Sequence, residues 1–283
     1  MSAQFSSEKP DNISLEIANF TLRVQCNHSS LVETLRARYA DFPPTGAAGF
    51  NAQVKWVGKE RGSSLLDTNA TFHDGILRFS APGYNGFIDE KVGRGYLRLS
   101  SAQPVEDIDY FLRVALALLV HQAGGVLMHT AGIIRNGQAY LFFGHSGSGK
   151  STICQISADH ASDDDAFVDD FVILNDDLVL LVPQGENWLA HGTPFSNPTQ
   201  IKPANQSAPI AGMYLLIQDR RVYTQGLTTG VATAALISNV PVIPQDQVRS
   251  LQLLKMLTQI QRNTPVYELH FLPDNSFWDV IPG

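Results

Sequence analysis

The sequence predicts a mixed α/β protein in which a smaller, β-rich N-terminal domain precedes a larger domain of strands and helices. Three observations predict this class. Short runs that alternate apolar and polar residues dominate the first third of the chain. A wide apolar helical face follows at residues 108–119. An apolar strand then runs directly into a glycine-rich turn and a helix, at residues 138–158. We therefore divide the chain into a disordered tail (residues 1–12), a β-rich domain (13–103) and an α/β domain (104–283).

The composition is that of an ordinary soluble globular protein. Of the 283 residues, 44% are hydrophobic and 17% are charged, with a formal net charge of −7. An acidic surface repels polyanions, which argues against a broad nucleic-acid-binding surface. The N-terminus has no apolar signal core, and the most apolar stretch, residues 108–120, is too short to span a bilayer. We expect a cytoplasmic protein that binds neither nucleic acid nor membrane.

The β-rich first third contains one predicted helix. Ser30 and Glu33 have the spacing of a capping box, and the helix that they begin stops before Pro43. The other runs alternate apolar and polar residues and are separated by turn residues. These predicted strands are residues 13–17, 20–26, 53–57, 70–79 and 86–99, of which the last two each fold back at a glycine-containing turn. No catalytic constellation occurs in this part of the sequence.

The second domain begins with a helix and continues as a mixture of strands and helices. Pro104 suits a first helical turn, and Gly124 and Gly125 end that helix. Asn136-Gly137 between two apolar runs is the strongest short hairpin signal in the chain. The runs further on predict helices at residues 151–158, 230–238 and 245–262, and strands at 166–168, 171–174, 178–182, 213–218 and 265–271.

The glycine-rich turn after the hairpin matches the phosphate-binding pattern G-x-x-x-x-G-K-[ST]. The loop consists of Gly144, His145, Ser146, Gly147, Ser148, Gly149, Lys150, Ser151 and Thr152. A glycine-rich turn can match this pattern by accident. Here, however, an apolar strand precedes the turn and a helix follows it, which is the structural context that supports the functional interpretation. The sequence therefore predicts a site for ATP and Mg²⁺.

Each residue type in this loop suits the binding of phosphate and metal for a chemical reason. Glycines allow a tight turn whose backbone N–H groups converge on the phosphates, and the helix directs its positive dipole end at the same anion. Lys150 adds a full positive charge that can follow the γ-phosphoryl group, and the Ser151 hydroxyl is a ligand for Mg²⁺. Thr152 fits the first helical turn, where it can contact the α-phosphate. His145 occupies a variable position and is expected to offer only its backbone.

A phosphate-binding loop also needs a carboxylate near the metal, usually at the end of a buried strand. Asp169 and Asp170 follow a short apolar run, so we predict that they divide this work between a proton acceptor and a metal partner. The earlier aspartates at residues 163–165 lack an apolar run before them and fit a solvated turn. Asp176 and Asp177 lie in a predicted hairpin turn, where aspartate is favoured for backbone reasons, and we assign them no chemistry.

His129 lies among apolar residues just before the hairpin. A lone histidine in such surroundings is more often a satisfied core residue than a functional one, so local sequence leaves both interpretations open.

The order of these motifs resembles the C-terminal domain of HPr kinase/phosphorylase, whose fold is related to that of ATP-dependent phosphoenolpyruvate carboxykinase. The resemblance covers about residues 126–181: a histidine on a short strand, a hairpin, a G-x-S-G-x-G-K-S loop, a helix, and a strand that ends in Asp-Asp. By position, it implies that Asp169 is the general base, that Asp170 lies at the metal and that His129 is an active-site histidine. It also implies that Lys150 is the catalytic lysine and that Ser151 is a magnesium ligand. Relatives of this family assemble into homo-oligomers.

The chain departs from the family in three places. Thr152 stands where the family has glutamate, the later Glu-x-Arg-Gly stretch has no clear match, and the N-terminal third does not resemble the family's usual N-terminal domain. We therefore expect an ATP-dependent kinase that acts on a serine or another hydroxyl of a protein, a peptide or a small molecule other than HPr.

Two alternatives to this function remain open from the sequence. The first is a small-molecule kinase of another phosphate-loop class, although such kinases carry several arginines in their lids and Arg220-Arg221 is the single late cluster. The second is a non-catalytic ATP sensor whose β-rich domain binds a partner.

Overall fold

The computed structural model describes residues 11–58, 69–163, 171–196, 201–241 and 246–282. The chain divides into two compact units, Met1–Leu119 and Val120–Gly283. The division falls near the end of the helix that follows Pro104, whereas the sequence-based boundary lies at its start and stays a prediction. Within the described residues there are two mixed sheets and five α-helices, which confirms the mixed α/β class.

The first unit is a seven-stranded sheet in the order β1-β2-β3-β7-β6-β5-β4. Its strands are β1 (Asp11–Ile17), β2 (Phe20–Cys26), β3 (Phe50–Trp56), β4 (Asn69–His73), β5 (Ile76–Ala81), β6 (Tyr84–Asp89) and β7 (Arg94–Leu99). Helix α1 (Ser29–Arg38) buries Leu31, Val32 and Leu35. The β3 strand pairs in parallel with both of its neighbours, and the other pairs are antiparallel.

Two details of the first unit differ from the sequence-based expectation. Asp11 and Asn12 belong to β1 rather than to a disordered tail, because they pair with Cys26 and Gln25 across the β1–β2 hairpin. Residues 1–10 of that expected tail lie outside the described residues. The capping box does not form either, because α1 already begins at Ser29 and Ser30 therefore lies inside the helix.

Helix α2 (Pro104–Gln122) leads from the first unit into the second. The second unit has an eight-stranded sheet. Seven of its strands follow the order β10-β8-β11-β12-β13-β15-β14, and β9 pairs with both β8 and β13. Its strands are β8 (Val126–Arg135), β9 (Gln138–Phe143), β10 (Val172–Asn175), β11 (Leu178–Gln184), β12 (Asn187–Gly192), β13 (Ser207–Gln218), β14 (Tyr223–Gly226) and β15 (Val266–Phe271). Its helices are α3 (Lys150–Asp163), α4 (Thr229–Ile237) and α5 (Gln247–Asn263), followed by a 3₁₀ helix at Asn275–Asp279. Among the described helices, none combines the length and the apolar character that crossing a bilayer requires.

Three parallel strands of the second unit bring their carboxyl ends to one edge of the sheet. The β8–β9 hairpin turns at Asn136-Gly137, both with positive φ, as the sequence predicts. From there β9 runs parallel to β13, which runs parallel to β15. The glycine-rich loop after β9, the end of β13 at Gln218 and the end of β15 at Phe271 therefore lie side by side. In open α/β sheets, ligands bind outside this edge.

The turn between β10 and β11 is brought to the same region through β8. Both strands pair with β8 in antiparallel register, with Asn175 opposite Gly132 and Leu178 opposite His129. The two residues between them, Asp176 and Asp177, are therefore carried next to His129 and to the strand that leads into the loop.

Candidate functional site

The glycine-rich loop joins the buried strand β9 to the start of α3. Lys150 is the first residue of that helix, so the free N–H groups of its first turn face the loop. Gly149 has a φ of +109°, and a Cβ built there would lie 2.6 Å from Cζ of Phe271. Only glycine meets both the backbone conformation and this close approach. The loop is therefore pressed directly against the end of β15.

Lys150 is held within the loop. Its Nζ donates hydrogen bonds to the carbonyl oxygens of Gly144 (2.9 Å) and His145 (3.2 Å). Burial lowers the pKa of Lys150, and the negative charge of Asp177 opposes that shift. A partly desolvated ammonium beside a carboxylate is ready to neutralise a phosphate that enters the loop.

Asn175 gives the β10–β11 turn its shape. Its Oδ1 accepts hydrogen bonds from the backbone nitrogens of Asp177 (2.6 Å) and Leu178 (3.0 Å), while its Nδ2 donates to the carbonyl oxygen of Thr193 (2.8 Å). The side chain is fully buried. An asparagine that bonds to its own following backbone in this way fixes the turn, so the positions of the two aspartates that follow are set by the fold.

Asp176 is a buried carboxylate with unsatisfied oxygens. The residue is 2% exposed, and neither oxygen has a hydrogen bond of normal geometry among the described residues. Burial raises the pKa of Asp176; the hydroxyl of Ser151 opposes this shift, and the charge of Asp177 adds to it. A buried anion without full compensation is costly and fits a place where a cation binds.

Asp177 is held by His129. The Nδ1 atom of His129 lies 2.8 Å from Oδ1 of Asp177, and the two side chains are 36% and 25% exposed. The backbone also fixes the pair, since the nitrogen of Thr130 donates to the carbonyl oxygen of Asp177 (3.0 Å). His129 is therefore a partly exposed residue paired with a carboxylate rather than a core histidine, and its predicted role in an active site stays a prediction.

Asn239, just after α4, connects the glycine-rich loop to β8, the strand that carries His129. Its backbone oxygen accepts a hydrogen bond from the nitrogen of His129 (2.7 Å), and its Oδ1 accepts one from the nitrogen of Gly144 (3.2 Å). The residue is buried. Sequence reasoning missed this residue, and no local signal indicates it, because its two partners lie about a hundred positions earlier in the chain.

These groups surround a cavity of about 310 Å³. Its lining consists of His129, Ser146, Gly147, Gly149, Lys150, Ser151, Thr152, Asp176, Asp177 and Gln218. Most of the predicted loop thus faces the same space as His129. Of the remaining loop residues, His145 contacts the carbonyl oxygen of Ser146 through its ring, and Ser148 is buried.

Among the described residues, the carboxylates that line this cavity are those of Asp176 and Asp177. Asp169 and Asp170 lie outside the described residues, and their roles stay predictions. Sequence reasoning assigns Asp176 and Asp177 no chemistry, as residues of a hairpin turn, but both line the cavity, and the strands on either side of them pair with β8. A signal for them was present: the apolar residues of β10 directly before the turn are buried except at the first position. Two aspartates at the end of such a strand suit a nucleotide-bound metal better than a solvated turn.

The residues at the cavity fit a magnesium ion that arrives with a nucleotide. Mg²⁺ prefers oxygen ligands and is usually held by one or two protein groups together with water and phosphate oxygens. The Ser151 hydroxyl faces the Asp176 carboxylate, whose oxygens lack hydrogen bonds of normal geometry among the described residues. These oxygen ligands, one hydroxyl and one carboxylate, are of the kind that Mg²⁺ prefers.

We expect Asp176→Asn to stabilise the protein in the absence of nucleotide and metal. Because burial raises the folded-state pKa of this carboxyl, the wild-type group costs nothing below the ordinary aspartate pKa, about 4. Its cost grows as the pH rises from that value to the folded-state pKa and stays constant above it. At about pH 7 the variant should gain about 1 kcal/mol, which raises the midpoint of thermal unfolding by about 2–4 °C. The gain should vanish near pH 4.

The matched control for this experiment is Asp159→Asn, which changes an exposed aspartate on α3. Thermal unfolding of the three proteins across this pH range gives the comparison. If Asp176→Asn and Asp159→Asn change stability equally at every pH, Asp176 is not a buried charge.

Comparisons with known proteins add little to this geometry. No protein-family model matches the chain, and no curated protein sequence matches it. Among solved structures, the chain is similar to the HPr(Ser) kinase/phosphatase from Coxiella burnetii, with 10% sequence identity and a TM-score of 0.29. The match covers 51% of this chain and 84% of that one. A likeness this weak assigns no role to any residue, so the roles below depend on the distances and burial given above.

Proposed function

We propose that this protein is a magnesium-dependent ATP kinase that transfers the γ-phosphoryl group to a hydroxyl. One observation carries the proposal: a phosphate-binding loop with Lys150 and Ser151 shares its cavity with two carboxylates, one of which is held by a histidine. A simple nucleotide pocket needs the loop but does not need a second, oriented carboxylate. Phosphoryl transfer needs both.

The loop side of the cavity would hold the triphosphate. Its backbone N–H groups and the N-terminus of α3 supply partial positive charge, and Lys150 supplies a full one. Bound Mg²⁺ would neutralise charge on the phosphate oxygens. Ser151 and Asp176 are the residues that would hold it, Ser151 through its hydroxyl and Asp176 through its buried carboxylate.

Asp177 is the residue that we assign as general base. It is more exposed than Asp176, so an entering hydroxyl can reach it, and His129 fixes its orientation. In the proposed reaction, the hydroxyl oxygen forms a bond to the γ-phosphorus as the bond to the β–γ bridging oxygen breaks. The hydroxyl proton passes to the Asp177 carboxylate, and ADP leaves. The sequence resemblance places the base on Asp169. In the pair Asp176-Asp177, the greater exposure and the histidine contact favour Asp177 for this role.

The acceptor would be a serine or another hydroxyl on a protein, a peptide or a small molecule in the cytoplasm. The overall charge of −7 supports an acceptor other than nucleic acid. Self-association, which the sequence resemblance implies, remains part of the proposal.

Transfer of labelled phosphate tests the proposal directly. Purified protein with Mg²⁺ and γ-labelled ATP should place label on an acceptor when cell lysate is added. The same incubation with α-labelled ATP should place none, because the nucleotide leaves as ADP. Tight ATP binding with neither hydrolysis nor a labelled acceptor would contradict the kinase and support the sensor. Label from the α-position would indicate nucleotidyl transfer instead.

A further inference from the structure

A second cavity adjoins the first at the end of the glycine-rich loop. It has a volume of about 580 Å³, within the roughly 300–1,000 Å³ of typical small-molecule sites. Its lining consists of Gly149, Thr152, Gln218, Asp219, Arg220, Phe271 and Pro273. Three of these residues, Gly149, Thr152 and Gln218, line the first cavity as well. The two cavities therefore meet along one short border.

The second cavity lies at the ends of two of the parallel strands. Gln218 is the last residue of β13 and pairs in register with Phe271, the last residue of β15. The Phe271 ring packs against Gly149, where a Cβ would come within 2.6 Å of it. Phe271, which lines the second cavity, is thus in direct contact with Gly149, the last glycine of the loop.

The two ends of the first cavity are lined by different kinds of residue, and one of these ends adjoins the second cavity. The acidic groups of the first cavity and His129 lie at the end away from the second cavity, whose lining includes none of them. If the γ-phosphate lies at that end, the α-phosphate lies near Thr152, at the border. Whatever is attached to the α-phosphate then enters the second cavity.

We propose that the second cavity binds the nucleoside half of the triphosphate, its base and ribose. This inference rests on the proposed function and adds to it a site for the part of the ligand that takes no part in the chemistry. The lining has the mixed character that a nucleoside requires, with apolar surface from the exposed Pro273 and the edge of the buried Phe271 ring beside polar side chains.

Two of the polar side chains in this cavity are already engaged with the protein. The Nε2 atom of Gln218 donates to the carbonyl oxygen of Gly147 (2.9 Å), which holds this side chain at the border. Oδ2 of Asp219 lies 2.8 Å from Nδ1 of His270, and Oδ1 accepts from the nitrogen of Arg220. Arg220 is exposed, and its planar guanidinium can stack on a base or bond to a ribose hydroxyl. We therefore assign base or ribose recognition chiefly to Arg220.

The test compares two ligands that share phosphates but differ in the nucleoside. Isothermal titration measures the dissociation constants of MgATP and of magnesium tripolyphosphate for the wild type, Arg220→Ala and Arg221→Ala. Arg221 is an exposed arginine one position along the chain that does not line the cavity. We expect Arg220→Ala to weaken MgATP binding by about tenfold and to leave tripolyphosphate binding unchanged. Arg221→Ala should change neither.

Each other outcome overturns the inference in a recognisable way. Equal affinity of the wild type for MgATP and tripolyphosphate means that no nucleoside site contributes. An equal loss for both ligands in Arg220→Ala makes Arg220 a phosphate ligand, and no loss for either places the nucleoside elsewhere. Binding of neither ligand to the wild type is a different failure, that of the proposed function itself.

Discussion

Asp177→Asn is expected to lower the rate of phosphoryl transfer by about 10²- to 10⁴-fold, the usual contribution of a positioned base. Asparagine keeps the size of the side chain and an oxygen that can still face Nδ1 of His129, but it cannot take a proton. MgATP should bind at least as tightly as to the wild type, because the variant removes a negative charge beside the triphosphate. Single-turnover transfer to the labelled acceptor and titration with MgATP measure the two effects separately.

Asp176→Asn is the informative companion to this variant. If Asp176 serves the metal, its loss should raise the Mg²⁺ concentration needed for half-maximal activity, whereas Asp177→Asn should leave that concentration unchanged. Asp159→Asn, the exposed control on α3, should alter neither quantity. If instead Asp177→Asn raises the Mg²⁺ concentration needed for half-maximal activity, and Asp176→Asn lowers the transfer rate at saturating Mg²⁺, the two roles are exchanged.

Lys150→Met should reduce nucleotide affinity and turnover together. Methionine keeps much of the length of the side chain but removes the ammonium that neutralises the phosphates. We expect at least tenfold weaker MgATP binding and a fall in turnover of about 10²- to 10³-fold, as for other preorganised charge-stabilising groups. Because burial lowers the pKa of Lys150, the folded protein already bears a cost for this charge, and the variant should not unfold.

Lys255→Met, which removes an exposed lysine from α5, is the matched control. Thermal unfolding of both variants shows whether each is folded, and titration with MgATP shows whether each binds. Wild-type affinity in Lys150→Met would mean that the loop does not hold the triphosphate, and the proposed function would then lose its basis.

Most strands and helices could be predicted from the sequence; the strands that were missed are β12, β14 and the first half of β13. β14 is four residues long and has no buried residue, so it has no apolar periodicity to read. The first half of β13 was missed because Pro209 and Gly212 are residues that normally interrupt strands. In the folded chain this half lies beside β12 and β9, whose pairing holds it in the sheet.

The glycine-rich loop and the hairpin before it could be located from local sequence alone. Both are encoded in contiguous residues, because the tight turn at Asn136-Gly137 and the glycines of the loop depend on backbone conformations that few other residues adopt. The interest of His129, by contrast, came from the order of the motifs and not from its local surroundings.

The positions of Asp176 and Asp177 at the loop depend on strand pairing across the sheet. Asp176 and Asp177 reach it because β10 and β11 both pair with β8, and Asn239 joins His129 to Gly144 from far along the chain. The register between strands is set by side-chain packing across the whole sheet, and a shift of one residue would turn each of these side chains to the opposite face. The apolar residues of β10 indicate that a buried strand ends before Asp176, but not which residues lie opposite that end.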